Sequence, residues 1–248
     1  MPVVETIIIA VLFFLGAALY SSVGHGGASS YLAIMGLFGL APAVMKPTAL
    51  ILNILVAFVA TAKFHRAGLF KWDLFWPFAI ASIPAAFIGG AITLPSRVYL
   101  MVVGVVLLVA AFWMFWSARR PVTASARALP LPGAIGGGLG IGVVSGLTGV
   151  GGGIFLSPLL LYMGWAETRA AAAVAASFIL VNSIAGLLGH LSTVAQIPPS
   201  IPFWGAAALA GGWIGASYGS RRAPPPTLRR LLALVLVVAG VKLIFAPG

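Results

Sequence analysis

The sequence contains no cysteine, and only three of its 248 residues are acidic: Glu5, Asp73 and Glu167. Without cysteine there is no disulfide framework and no thiolate metal site. The three carboxylates all fall near predicted helix ends. They leave no buried acid for the carboxylate relay that usually marks a proton or cation pathway through a membrane. Charge of either sign is scarce as well. Only 7% of residues are charged, against about 25% in a soluble domain, too few to coat a water-soluble globule. The net charge of +11 would point to nucleic acid in a soluble protein. Here Lys and Arg fall between apolar runs, where they anchor loops at a membrane surface. No basic stretch is interleaved with aromatics, and no nucleic-acid motif is present.

What is abundant is apolar sequence, at 61% of the chain. Continuous apolar runs of about 17 to 22 residues recur along it, each long enough to cross a bilayer as a helix. They are too long and too unbroken for barrel strands. The fold class is therefore an all-α polytopic membrane protein. The start, MPVVETIIIA, lacks the basic n-region of a cleaved leader, so the first apolar segment is expected to be kept. Helices are predicted at about Thr6–Ser22, Ala28–Leu40, Ala43–Ala62, Trp72–Ile92 and Arg97–Trp116. A second set follows at about Gly133–Thr148, Ile154–Gly164, Thr168–His190, Ile201–Gly219 and Thr227–Phe245. The polar stretch SARRPVTASARALPLP divides the two sets. This gives a first membrane repeat over 1–118, a cytoplasmic linker over 119–132 and a second repeat over 133–248.

The two sets resemble each other. Gly24-His25-Gly26-Gly27 aligns with Gly149-Val150-Gly151-Gly152, and both clusters open a short apolar helix. Thr48–Asn53 aligns loosely with Ser177–Asn182, and Pro77-Phe78 with Pro202-Phe203. Loop charge then sets the geometry. If the short helices did not change sides, basic residues would divide evenly between the faces. If each short helix returns the chain, one face collects Lys63, Arg66, Lys71, Arg119, Arg120, Arg127, Arg169, Arg221, Arg222, Arg229 and Arg230. The other keeps only Lys46, Arg97 and Lys242. That bias is the one expected of cytoplasmic loops. Five segments per half is an odd number, so the second half is predicted to be inverted, with both termini on the extracytoplasmic side. Inverted repeats with broken helices near the midplane belong to transporters.

The glycine clusters are the candidate site. Broken backbone at membrane depth is tolerated only where it is packed in protein or lines a cavity. A helix beginning there presents unpaired N–H groups and partial positive charge, which favours an anion. The candidate substrate-binding residues are Gly24, His25, Gly26, Gly27 and Ser29 in the first half, with Thr148, Gly149, Gly151, Gly152 and Gly153 in the second. Asn53 and Asn182 join them as neutral donors inside predicted helices, or alternatively as pins between helices. His25 has no second His or acid near it in sequence, so it reads as a donor or gate rather than a metal ligand. His65 and His190 are expected at the interface. Trp72, Trp76, Trp113, Trp116, Trp165 and Trp204 are expected in the aromatic belt. The run GGGLGIG at 136–142 reads as close helix packing.

The paired segments SVGHGGASSYLAIMGLFGL and SGLTGVGGGIFLSPLLLYMGW resemble the duplicated glycine motifs of the sulfite exporter TauE/SafE family. The resemblance covers nearly the whole chain, and the second motif is the closer match. The first carries His25 and Ala28 where many relatives have further small residues. The resemblance implies an inner-membrane permease for small anions such as sulfite, organosulfonates or small carboxylates. On this reading the chain is not an enzyme, has no cofactor or metal, and has a small anion and the lipid bilayer as partners. Self-association is left open. Two other functions remain alongside it: a passive anion channel, and an intramembrane Ser–His hydrolase using Ser22, Ser29 or Ser30.

Overall fold

Glycine and proline punctuate the apolar sequence, and many of the helices begin or end beside them, as at Pro42, Gly149 and Gly152. The computed structural model describes residues 2–117, 129–191, 197–222 and 226–245. Among the described residues the chain forms ten helices and no strand: α1 Val3–Ser22, α2 Ala28–Leu37, α3 Pro42–Arg66, α4 Trp72–Ala91, α5 Ser96–Ser117, α6 Leu131–Thr148, α7 Gly153–Tyr162, α8 Thr168–His190, α9 Ile201–Arg221 and α10 Pro226–Phe245. Every predicted helix is present. Six of these helices are long and apolar enough to cross a membrane: α1, α3, α4, α5, α6 and α8. The linker predicted over 119–132 lies outside the described residues except for 129–132, as do Arg119, Arg120 and Arg127.

The packing follows the small residues. Gly138, Gly142 and Gly146 recur every four residues on α6, and each meets the α4 backbone, at Phe78, Ser82 and Ala86. On α9 the same spacing puts Gly211, Gly215 and Gly219 against Phe14, Ala18 and Ser22 of α1. One helix turn carries i to i+4 on the same face, and without a Cβ the backbones close to near contact. Within GGGLGIG, only Gly138 and Gly142 meet backbone in this way. Gly136 and Gly140 face open space.

These contacts also fix directions. Residue numbers rise together along α4 and α6, and along α1 and α9, so each pair is parallel. Helix α9 also runs parallel to α3, with Gly205 beside Leu52 and Leu55, and Trp213 under the Lys63 ammonium. The α8–α3 contact runs the other way: Gly186 lies beside Leu50, and Ser183 bonds Asn53. Helix α10 is antiparallel to α5, through Gly240 against Leu108 and Ile244 against Gly104. Because α1 and α3 both run with α9, the short α2 between them returns the chain. The packing partners recur between halves. Helix α1 lies on α9 as α6 lies on α4, α2 touches α10 as α7 touches α5, and α3 meets α8 at the centre.

Two sequence expectations are corrected. Trp204 is not a belt residue. It is fully buried, packs edge-on against Phe13 and donates Nε1–H to the Thr6 carbonyl at 3.1 Å. Position 204 is in the first turn of α9, the helix that lies on α1, so the indole turns inward. His190 is likewise buried rather than interfacial, because the end of α8 packs against the end of α4 at Phe87 and Ala91. Trp72, Trp76 and Trp116 are exposed on the outer surface.

Candidate functional site

Each half breaks its helical path at a glycine turn. In the first, Gly24 and Gly27 take φ of 77° and 113°, and Gly27 begins α2. In the second, Gly149, Gly151 and Gly152 take φ of 83°, 83° and 79°, and Gly152 begins α7. These left-handed values disfavour any residue with a Cβ. Neither N-cap residue, Gly27 or Gly152, has a side chain with which to cap its own helix. The first N–H groups of α2 and α7 therefore rely on other partners.

The two turns meet. A Cβ on Gly26 would overlap Asn53 Oδ1 and come within 3.1 Å of Ile179 Cγ2. A Cβ on Gly151 would overlap Asn53 Nδ2 and lie 3.0 Å from both Ile179 Cγ2 and Ser183 Oγ. Asn53 sits between them, with its amide engaged on both sides. Its Oδ1 accepts from Ala28 N at 3.3 Å, at the start of α2. Its Nδ2 donates to Ser183 Oγ at 2.9 Å and to Val150 O at 3.5 Å. The turns approach this point from opposite ends of the antiparallel α3–α8 pair. Gly24 packs against Ala172, near the start of α8, and Gly149 packs against Lys46, near the start of α3.

The remaining predicted residues surround this meeting point. Thr148 donates Oγ1–H to Val144 O at 2.7 Å and accepts from Val150 N at 3.4 Å. Its carbonyl accepts from Tyr99 at 3.0 Å. A Cβ on Gly153 would overlap Ile179, so all the predicted glycines lie where the backbone is tightly enclosed. Asn182 is fully buried and donates Nδ2–H to Phe178 O at 2.9 Å. Its Oδ1 has no hydrogen-bond partner among the described residues. Ser29 is buried at the start of α2. His25 is buried, its ring tilted 6.3 Å from Tyr20. It lines a cavity of about 20 Å³ with Val23, Met114, Ser157, Pro158, Leu161 and Thr168, room for about one water molecule. Of the serines a hydrolase would need, Ser22 and Ser30 donate to the main chain at Leu19 and Gly27.

Two residues were missed at this site. Lys46 was read as a loop anchor, but it is 4% exposed. Its ammonium donates to the carbonyls of Gly90 at 2.9 Å, Ile92 at 3.3 Å and Gly89 at 3.4 Å. Ser183, the partner of Asn53, carries no sequence signal of its own, since a serine in a membrane helix commonly bonds its own preceding turn. The pairing with Asn53 spans 130 positions and shows only when the halves are packed together.

No solved structure matches the chain. The chain is 42% identical over 244 residues to the probable membrane transporter protein y4hK of Sinorhizobium fredii (strain NBRC 101917 / NGR234), covering 97% of this chain and 99% of that one. The family model described as sulfite exporter TauE/SafE matches residues 8–243. With both the family model and this relative spanning nearly its full length, the chain belongs to the TauE/SafE family of membrane transporters.

Proposed function

We propose that the protein is a permease of the inner membrane for a small oxyanion: sulfite, an organosulfonate or a related small carboxylate. The anion passes where the two glycine turns meet. The observation that carries this reading is the meeting itself: two helix starts whose N-cap glycines have no side chain to cap them reach Asn53 from opposite ends of the α3–α8 pair. The α2 start gives one N–H to Asn53 Oδ1; the remaining first-turn N–H groups and the positive ends of the helix dipoles favour an anion. The three acidic residues lie at the starts of helices α1, α4 and α8, away from Asn53. Two halves related by inversion supply such a pair of turns naturally. The parallel α1–α9 and α4–α6 pairs and the antiparallel α3–α8 pair are what an inverted repeat requires. Loop charge supports a cytoplasmic Lys63, Arg66, Lys71 and Arg169 face, with both termini outside. The family description names sulfite, which makes it the first substrate to try.

Purified protein in proteoliposomes, loaded with labelled sulfite, tests this directly. Saturable efflux, accelerated by unlabelled sulfite on the other side, is expected. Failure to move sulfite, small sulfonates and small carboxylates, from protein that is folded and correctly inserted, removes the reading. Flux that neither saturates nor exchanges would make the protein a channel instead.

A further inference from the structure

Lys46 poses a physical problem. An ammonium buried in a membrane-spanning helix is costly and marks function by default. Among the described residues no carboxylate pairs with it; its partners there are the three carbonyls at the end of α4. The C-terminal dipole of α4 offsets part of the cost, yet a helix can end without a buried cation. The second half holds a matching arrangement. Arg169, at the start of α8, donates Nη2–H to Ser220 O at the end of α9. Its Nε is buried and has no hydrogen-bond partner among the described residues. Lys46 thus joins the start of α3 to the end of α4, and Arg169 joins the start of α8 to the end of α9. The two lie on opposite faces, since α3 and α8 are antiparallel. Each also sits beside a glycine turn. Gly149 packs directly on Lys46, and Gly24 packs on Ala172, one helical turn beyond Arg169.

We propose that Lys46 and Arg169 are the anion-contacting cations at the two mouths of the path. Each takes a small oxyanion from its own aqueous side and passes it to the adjacent glycine turn. The exchange needs no new charge. The oxyanion replaces carbonyls at the Lys46 ammonium, and at Arg169 it uses the guanidinium edge whose Nε has no acceptor among the described residues. A planar guanidinium edge suits two oxygens of one oxyanion. This inference rests on the permease reading and assigns a different part of it to each face.

The test uses the full chain in proteoliposomes with labelled sulfite, sorted by orientation through protease removal of a C-terminal tag. Lys46→Gln is expected to raise the apparent KM about tenfold from the face bearing the termini, the loss of one charge-assisted contact. From the other face it leaves KM unchanged. Arg169→Gln does the reverse; Lys46→Arg restores most of the loss, and Arg169→Lys only part of it, because an ammonium does not offer two parallel N–H groups. A merely structural cap would lower stability and maximal rate without raising KM from one face alone. Either arm decides independently should the other variant fail to fold. If the wild type carries sulfite and a folded Gln variant keeps its KM from both faces, this assignment is wrong while the permease reading stands. No flux from the wild type would sink both.

Discussion

Asn53 holds two chain breaks together with one amide. Its oxygen meets the first N–H of α2, and its nitrogen meets Val150 O and Ser183 Oγ. Asn53→Leu keeps the volume but leaves these groups buried and unpaired, a cost of about 1–3 kcal/mol each where water cannot reach. A lowered thermal midpoint in detergent is expected. Asn53→Asp asks a sharper question. It still accepts from Ala28 N, but it loses the donor and adds a negative charge where the anion is expected to pass. Like charges a few ångströms apart in a poorly screened site repel by more than about 1.4 kcal/mol, so sulfite flux should fall at least about tenfold. Wild-type flux from a folded Asp variant would mean that the anion travels elsewhere. Gly151→Val should be equally damaging, because φ is +83° there and a Cβ would overlap Asn53 Nδ2. Gly39→Ala is the control. It also has positive φ, at 70°, but nothing lies within 4 Å, so it should cost about 1 kcal/mol of stability and leave flux intact.

At the scale of elements, the glycines of α6 separate packing from propensity. Gly142→Ala forces a methyl into the Ser82 carbonyl of α4, and overpacking of this kind costs about 1–3 kcal/mol. Gly140→Ala, two residues away, meets nothing within 4 Å and should gain about 0.5–1 kcal/mol from better helix propensity. Opposite shifts in thermal midpoint are therefore expected from two identical substitutions on one helix. Equal shifts would mean that α6 does not lie on α4 by that face. The contrast also shows what the sequence could and could not reveal. Helix positions were legible because apolar runs end at glycine, proline or charge, and the glycine breaks were legible because they interrupt such runs twice. Helix faces were not. An apolar helix in lipid has no polar side to betray which residues turn inward, so Trp204 and His190 looked interfacial and Lys46 looked like a loop anchor. Asn53 could be singled out as a polar residue in an apolar helix. Its bonds to Ala28, Val150 and Ser183 join both halves of the chain and follow from the meeting of α3 and α8, which periodicity does not encode.

For the whole molecule, the decisive quantity is which side each loop occupies. The absence of cysteine makes that directly measurable, because a single introduced thiol is the sole target of a maleimide. Ala67 lies between α3 and α4, Thr93 between α4 and α5, and Glu167 between α7 and α8; all three are exposed. With α2 and α7 each returning the chain, Ala67 and Glu167 share a face and Thr93 is opposite. The bias in Lys and Arg predicts a cytoplasmic Ala67 face. That bias is sharper than the bare count suggests, since Lys46 and Lys242, two of the three cations on the sparse face, are bonded to helix ends at Gly90 and Leu37. A membrane-impermeant maleimide on intact cells is therefore expected to label Thr93→Cys and to leave Ala67→Cys and Glu167→Cys untouched until the membrane is opened. If Ala67→Cys and Glu167→Cys react and Thr93→Cys does not, the orientation is reversed and Lys46 faces the cytoplasm. If Ala67→Cys and Glu167→Cys behave differently from each other, a short helix fails to return the chain. The two glycine turns would then no longer approach Asn53 from opposite sides, and a path between two aqueous faces would lose its physical basis.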